Sequence, residues 1–482
     1  MMAHEDNTAP AIVWFRDDLR LSDNPALAAA VATKRPLICV YIFDDASHGL
    51  RQLGGAARWF LHGALAALDE ALQAKGGELI LLRGAALDAL ADCAAAIEPG
   101  AVFWNRRYDG AGRKIDAAIE KALQHRGCDV ASFDGNLLYR PQVFASKAGG
   151  FQVFSAFWRH ALATDEPSAP FTVPRRLSFV SIPKALRQKA VTLKELTLLP
   201  TKPDWAGGLR ETWDASEEGA KAALKRFLAK GLEHYEKRDQ PALFATSFLS
   251  PHLRFGTVSP RQAWHAVSEA DGISKQIKTK FRSELGWREF SHHLLMRHPD
   301  MATHNLRDGR HVAWHNDRHG LKAWQRGLTG YPIVDAGMRE LWQTGWMHNR
   351  VRMITASFLI KHLLVDWRKG EEWFWDTLVD ADFANNPQNW QWVAGTGADA
   401  SPFFRVFNPI LQSQKFDTAG AYIRRYVPEL AKLPNDLIHQ PWTANEMELG
   451  LAGITLGETY PRPIVEHEAA RGRALAAWKA RD

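Results

Sequence analysis

Short apolar runs and helical periodicities take turns along the first part of the chain. AIVWFR at Ala11, LICVYIF at Leu37, ELILLRG at Glu78, AVFWNRRY at Ala101 and CDVASF at Cys128 read as buried strands. The Ala-rich run from Ala56 to Ala74 reads as a helix between the second and third. Strands alternating with helices predict a parallel sheet covered by helices, a Rossmann-like α/β domain over residues 1–135. No glycine-rich phosphate loop follows any of these strands, so a dinucleotide site here is not expected. From 136 to 210 the pattern weakens. Pro141, Pro167, Pro170, Pro174, Pro183, Pro200 and Pro203 interrupt any long element, and only FQVFSAFWRHAL suggests a short helix. This stretch is expected to be an interdomain linker. From 211 to 482 apolar residues recur at helical spacing, which predicts a large all-α domain. GAKAALKRFLAKGLEHY at Gly219, KQIKTKFRSELGWREFSHHLLM at Lys275, and the stretches 335–342 and 349–360 are its clearest helices.

Composition adds bounds. With 482 residues, 46% hydrophobic and 24% charged, the chain is long enough for two or three domains of an ordinary globular protein. It has no 18-residue apolar run, and MMAHEDNTAP lacks the regions of a signal peptide, so no membrane partner and a cytoplasmic location are expected. Cys39, Cys93 and Cys128 lack metal-ligand spacing and suit a reducing compartment. A net charge of +6 is compatible with nucleic acid but only weakly diagnostic.

The candidate chemistry lies in the helical part. Eleven of the 19 tryptophans fall between residues 264 and 392, many beside Asn, Arg and Asp. That mixture fits either an aromatic-rich core or a pocket for something flat, polar and anionic. Glu284, Trp287 and Arg288 share one helical face, as do Asn349 and Met353. A carboxylate, an indole and an amide could clamp a nucleobase, while Glu284 with Arg288 is equally an intrahelical ion pair. In TSFLSP, hydroxyls at a helix start suit a pyrophosphate or an ordinary N-cap.

Four long runs carry more than any of these spacings. VWFRDDLRLSDNPAL at Val13, TSFLSPHLRFGTVSPRQ at Thr246, TGYPIVDAGMRELWQTGWMHNRVRM at Thr329 and DADFANNPQNWQWVAGTGADASPFFRVFNP at Asp380 resemble the DNA photolyase/cryptochrome family. The likeness covers nearly the whole chain and is greatest to its bacterial cyclobutane-dimer repair branch. It implies a flavin adenine dinucleotide (FAD) held by Thr246, Ser247, Leu249 and Ser250, with Tyr235 against its phosphate or ribose. Asp380, Asp382 and Asn386 match the family's contacts to the isoalloxazine and adenine side. Arg352 matches the partner of Asp380, and Arg288 joins the cofactor set. Asn386 matches the residue beside flavin N5, where repair enzymes carry Asn and plant cryptochromes carry Asp, which favours a neutral radical.

The same resemblance implies a lesion-facing set. Trp287 and Trp392 would stack on the two splayed bases, and Glu284 and Asn349 would hydrogen-bond the pyrimidine edges. Met353 would fill the pocket beside the cyclobutane ring, with Arg350 and Arg405 also toward DNA. Relatives that repair the other major photoproduct carry a histidine pair near Asn349, so the cyclobutane dimer is expected here. Trp390, Trp367 and Trp314 match an electron relay from flavin to surface. The basic run Lys275, Lys278, Lys280 and Arg282, with Arg424 and Arg425, could neutralise phosphates around a pocket mouth. The implied activity is light-driven DNA repair by a monomer. The rivals are a light-signalling cryptochrome and a damage-binding protein without repair.

The antenna pigment is where the resemblance is weakest. Family members that hold a folate in the best-known way carry an Asn-Glu pair after the fourth strand, whereas this chain reads WNRRYDGAGRKID. Arg51, Trp59 and the GGAARWFLHGAL helix offer a cation and an aromatic face for a flat ring. Methenyltetrahydrofolate in a rearranged site is the expectation, with a deazaflavin as the alternative.

Overall fold

The computed structural model describes residues 9–144, 150–307, 312–400 and 405–480. Five strands form one parallel sheet: β1 (Ala11–Phe15), β2 (Leu37–Phe43), β3 (Leu79–Arg83), β4 (Ala101–Asn105) and β5 (Asp129–Phe133), in the order β3-β2-β1-β4-β5. Val13 lies opposite Cys39 on one side and Phe103 on the other, which fixes the central register. Every residue of β1, β2 and β4 is buried, and that is why these strands appear in the sequence as unbroken apolar runs. The crossovers are α1 (Pro25–Ala32), α2 (Gly55–Gln73), α3 (Ala86–Ile97) and α4 (Gly110–Gln124). Asn24 caps α1 at Leu27 N and Asp109 caps α4 at Gly112 N. With right-handed crossovers, an order that reverses at β1 puts the first two helices on one face and the last two on the other.

The chain forms two compact units that do not follow its order. One comprises Met1–Trp205, Trp213–Leu228 and Ser247–Pro299, and the other Ala206–Thr212, Ala229–Thr246 and Asp300–Asp482. The first therefore holds the proline-rich stretch, including α5 (Phe154–Leu162), and the Lys275–Arg297 helix. Buried charge recruits the later segments. Glu217 accepts the Leu21 N–H at 2.7 Å and the Ser22 hydroxyl. Asp17 takes Arg107 at 2.9 Å and Arg254 at 2.8 Å, and Asp23 takes Arg261 at 2.8 Å. Burial alone would raise the Asp17 carboxyl, but Arg107 and Arg254 hold it well below the usual carboxylate range. Removing both arginines would leave the Asp17 charge without a partner, so these pairs help fix which segments dock.

The second unit is helical around one apolar core that includes Trp324, Phe358, Trp367 and Trp390. Its TGYPIVDAG start is explained locally. Pro332 opens the Pro332–Thr344 helix, and the buried Asp335 carboxylate takes the N–H and hydroxyl of Thr329, both at 2.7 Å, and the Tyr460 hydroxyl, also at 2.7 Å. The stretch expected to be one helix from Asn349 to Ile360 runs as α-helix to Ser357 and then as a π turn, Phe358–His362. GAKAALKRFLAKGLEHY likewise passes from α-helix (Glu217–Arg226) through a π turn to a 3₁₀ turn at Gly231, a residue that gives a helix interior little support. No helix among the described residues is long and apolar enough to cross a membrane.

Candidate active site

In the first unit, Ser274 caps the Lys275–Arg297 helix, and that helix holds Glu284, Trp287 and Arg288 half-buried on one face. Phe154 lies face to face with Trp287, ring centroids 3.8 Å apart and planes 10° from parallel. Arg288 donates to the Asn136 carbonyl at 2.6 Å and stands 3.5 Å from Glu289. The Glu289 carboxylate accepts the Leu138 N–H at 2.9 Å, and burial pushes it up to about 7. The basic run turns partly inward: Lys278 donates to the Ser268 carbonyl, and Arg282 lies 4.4 Å from the Trp264 ring. In the TSFLSP turn Leu249 is buried, Ser250 is exposed at the start of a helix, and Phe248 has φ of +55°.

In the second unit, Tyr235 is buried with the Arg238 guanidinium 5.3 Å from its ring. His348 accepts the Arg350 N–H at 3.2 Å and starts the Asn349–Ser357 helix, which carries Asn349 exposed and Met353 half-buried. Arg350 pairs with Asp239 at 2.9 Å and lies 4.4 Å from the Phe416 ring. Arg352 forks onto both oxygens of Asp380, at 3.1 and 2.8 Å, and its Nε donates to the Met347 carbonyl at 2.7 Å. The side chain of Asp380 is 4% exposed and that of Arg352 25%, so the carboxylate is desolvated while the guanidinium keeps an edge in solvent. Asp382 lies in the turn before the next helix and accepts from Ala384 N at 2.9 Å and Asn385 N at 2.7 Å. Arg405 is exposed, and its carbonyl receives Lys361 Nζ at 2.9 Å. Arg424 is spent on carbonyls, Leu433 O among them at 2.6 Å.

Asn386 sits buried near the start of the Asn385–Ala394 helix. Its amide nitrogen donates to the Glu371 carboxylate at 2.8 Å and to the Glu371 carbonyl at 3.1 Å. Among the described residues this leaves Oδ1 as an unused acceptor, the group an N–H edge needs. The chemistry of this set fits a flavin: an amide oxygen aimed by a buried carboxylate, and an arginine held by an aspartate in the same unit. On the same helix, Trp390 is buried against Phe374 at 4.9 Å, where Gly370 leaves the room; a Cβ there would stand 2.1 Å from the indole. Trp367 is fully buried with Nε1 on Asn305 at 3.2 Å, while Trp314 and Trp392 are half-buried against the same core.

Two partners had no signal in the sequence. Glu371 lies in a charged helical stretch that looks solvated. Glu340, 5% exposed, accepts the Tyr422 hydroxyl at 2.5 Å, the Tyr426 hydroxyl at 3.2 Å and the His348 N–H at 3.2 Å. Burial pushes its carboxyl from 4.5 up to about 7, against the pull of those hydrogen bonds. The folded state thus holds this proton more tightly than the unfolded one. The resulting stability is complete below pH 4.5 and is lost as pH rises through about 7. Glu340→Gln is therefore expected to change the stability gap to the parent by about 2–3 kcal/mol between about pH 5 and 8, in the variant's favour at high pH. Urea unfolding at the two pH values measures it, and an unchanged gap contradicts the buried-acid assignment.

Comparison with known proteins agrees over the whole chain. Residues 11–175 match the DNA photolyase family model, and residues 281–480 match the model for the FAD binding domain of DNA photolyase. A deoxyribodipyrimidine photo-lyase from Agrobacterium fabrum is 52% identical, covering 98% of both chains. Cryptochrome-1 of Arabidopsis thaliana is 37% identical over 96% of this chain and 69% of its own length. The crystal structure of a bacterial class III photolyase from Agrobacterium tumefaciens superposes with a TM-score of 0.94 at 51% identity, covering 99% of each chain. The chain belongs to the DNA photolyase/cryptochrome family.

Proposed function

We propose that the protein is a deoxyribodipyrimidine photo-lyase that splits cyclobutane pyrimidine dimers in DNA under light. The observation that carries repair over signalling is Asn386, a buried amide whose nitrogen is committed to Glu371 and whose oxygen remains an acceptor. An amide so held cannot supply a proton to the group it faces. Bound there, reduced FAD would supply the electron that light drives into the dimer and that returns once the ring has opened. In this reading Tyr235, Thr246, Ser247, Leu249, Ser250 and Arg288 hold the cofactor, together with Arg352, Asp380 and Asp382. Glu284 and Asn349 hydrogen-bond the pyrimidines, Trp287 and Trp392 stack on them, and Met353 fills the space beside them. Arg350 and Arg405 face the DNA backbone. Trp390, Trp367 and Trp314 relay electrons that reduce the bound flavin; the three pack against one core, with Trp390 and Trp367 buried and Trp314 half-buried, which supports an exit at Trp314. The reading has the protein act as a cytoplasmic monomer. Repair of a dimer-containing oligonucleotide in the light tests the activity.

Asn386→Asp tests the amide directly. The introduced carboxyl would stand beside the Glu371 carboxylate, and two such groups at hydrogen-bond distance share one proton. The variant is expected to supply that proton to the flavin, changing its absorption after illumination and lowering repair. A spectrum identical to the parent's contradicts the assignment of Asn386 to N5.

For the antenna we propose a methenyl folate near α2. Trp59, almost fully buried, packs edge-on against Phe60, and Arg51 is half-buried. Pigment released by denaturation is expected to absorb in the near ultraviolet. Recovery of only deazaflavin, with no folate uptake on reconstitution, overturns the choice.

A further inference from the structure

We propose that Phe154 is a positioning residue for lesion recognition: it holds the Trp287 indole in a fixed plane with one face already covered. The inference rests on the reading of Trp287 as the ring that stacks on a dimer base. Phe154 is the first residue of α5, and Trp158 follows one turn later on the same face. The two rings are 12° from parallel with centroids 6.2 Å apart, and Phe154 and Trp287 are 10° from parallel at 3.8 Å. Trp158, Phe154 and Trp287 thus present three nearly parallel rings, with Phe154 and Trp287 in direct face contact. Phe290, fully buried one turn after Trp287, meets Phe154 and Trp287 edge-on, each at 6.0 Å. Such an edge contact blocks tilting of either ring.

The stack is anchored from below. Gly286, the neighbour of Trp287 in sequence, lets Trp158 press onto the helix backbone; a Cβ there would stand 2.6 Å from the indole. Trp264 and Tyr139 close on Trp158 edge-on at 6.1 and 6.5 Å. Trp287 itself stays half-buried. A flat ring added to its remaining face meets an indole that no longer has to be ordered, and the entropy of fixing that side chain is not charged to binding. The stack also explains an aromatic residue at the mouth of a proline-rich stretch, where a connector needs none.

The test uses the full-length holoprotein and measures dissociation constants for a duplex with one cyclobutane dimer and for the same duplex undamaged. Phe154→Leu is expected to weaken dimer binding roughly three- to tenfold, with undamaged binding and turnover at saturating substrate unchanged. Phe154→Tyr, which keeps the ring, should restore it. Phe154→Met serves as a second variant if the leucine form folds poorly. In a Trp287→Ala background, Phe154→Leu should add no further loss. Equal losses on both duplexes, no loss, or a full additive loss in the double variant overturns the positioning role. If Trp287→Ala itself leaves dimer binding unchanged, the assignment of Trp287 falls, and the inference with it, whatever Phe154→Leu does.

Discussion

Arg352→Ala is expected to destabilise the protein by about 3–5 kcal/mol and to yield a preparation depleted of flavin. The size follows from what is left behind. Asp380 would keep a carboxylate whose side chain is 4% exposed, with both oxygens stripped of the donors they now have. The same substitution frees the Met347 carbonyl, so the turn that leads into Asn349 loses its tie as well. Arg352→Lys keeps the charge but not the planar fork, and should fall between parent and alanine. Denaturant unfolding and the flavin-to-protein absorbance ratio measure the two effects. A loss of about 1 kcal/mol or less, with full flavin, would place the pair among exposed ion pairs and remove its role in the site.

The second large effect is on the substrate. Trp287→Ala is expected to lose roughly 1–3 kcal/mol of affinity for dimer-containing DNA, about 5- to 150-fold. Binding to undamaged duplex should barely change, because phosphate contacts dominate it and Trp287 makes none. Paired titrations at one fixed salt concentration are required, since both constants move steeply with salt. Equal losses on the two DNAs would mean that the indole supports the Lys275–Arg297 helix and does not read the lesion.

What the sequence made legible follows from which forces have a period. β1, β2 and β4 are buried on both faces, so each is an unbroken apolar run that no other element imitates. The Lys275–Arg297 and Pro332–Thr344 helices carry capping or proline starts that can be read in a line of letters. Contacts between residues far apart carry no such mark. Glu217 with Ser22, Asp17 with Arg254 and Asp23 with Arg261 draw later segments into the sheet unit, and nothing local in those segments announces it. The Glu371–Asn386 pair is of the same kind, and so is the seat of Phe154 on Trp287. The basic run was legible as charge but not as direction. Lys278 and Arg282 spend theirs on Ser268 and Trp264, which only packing could reveal. Arg350 and Arg352, two residues apart, likewise go to different carboxylates, Asp239 and Asp380.

Light-driven repair is read out on the lesion itself. Reduced holoprotein is mixed with an oligonucleotide carrying a single cyclobutane pyrimidine dimer, and the restored strand is quantified after blue light and after the same time in darkness. Multiple turnovers are expected in the light and none in the dark. Dimer left intact in the light by protein that holds reduced flavin and binds the lesion would contradict it.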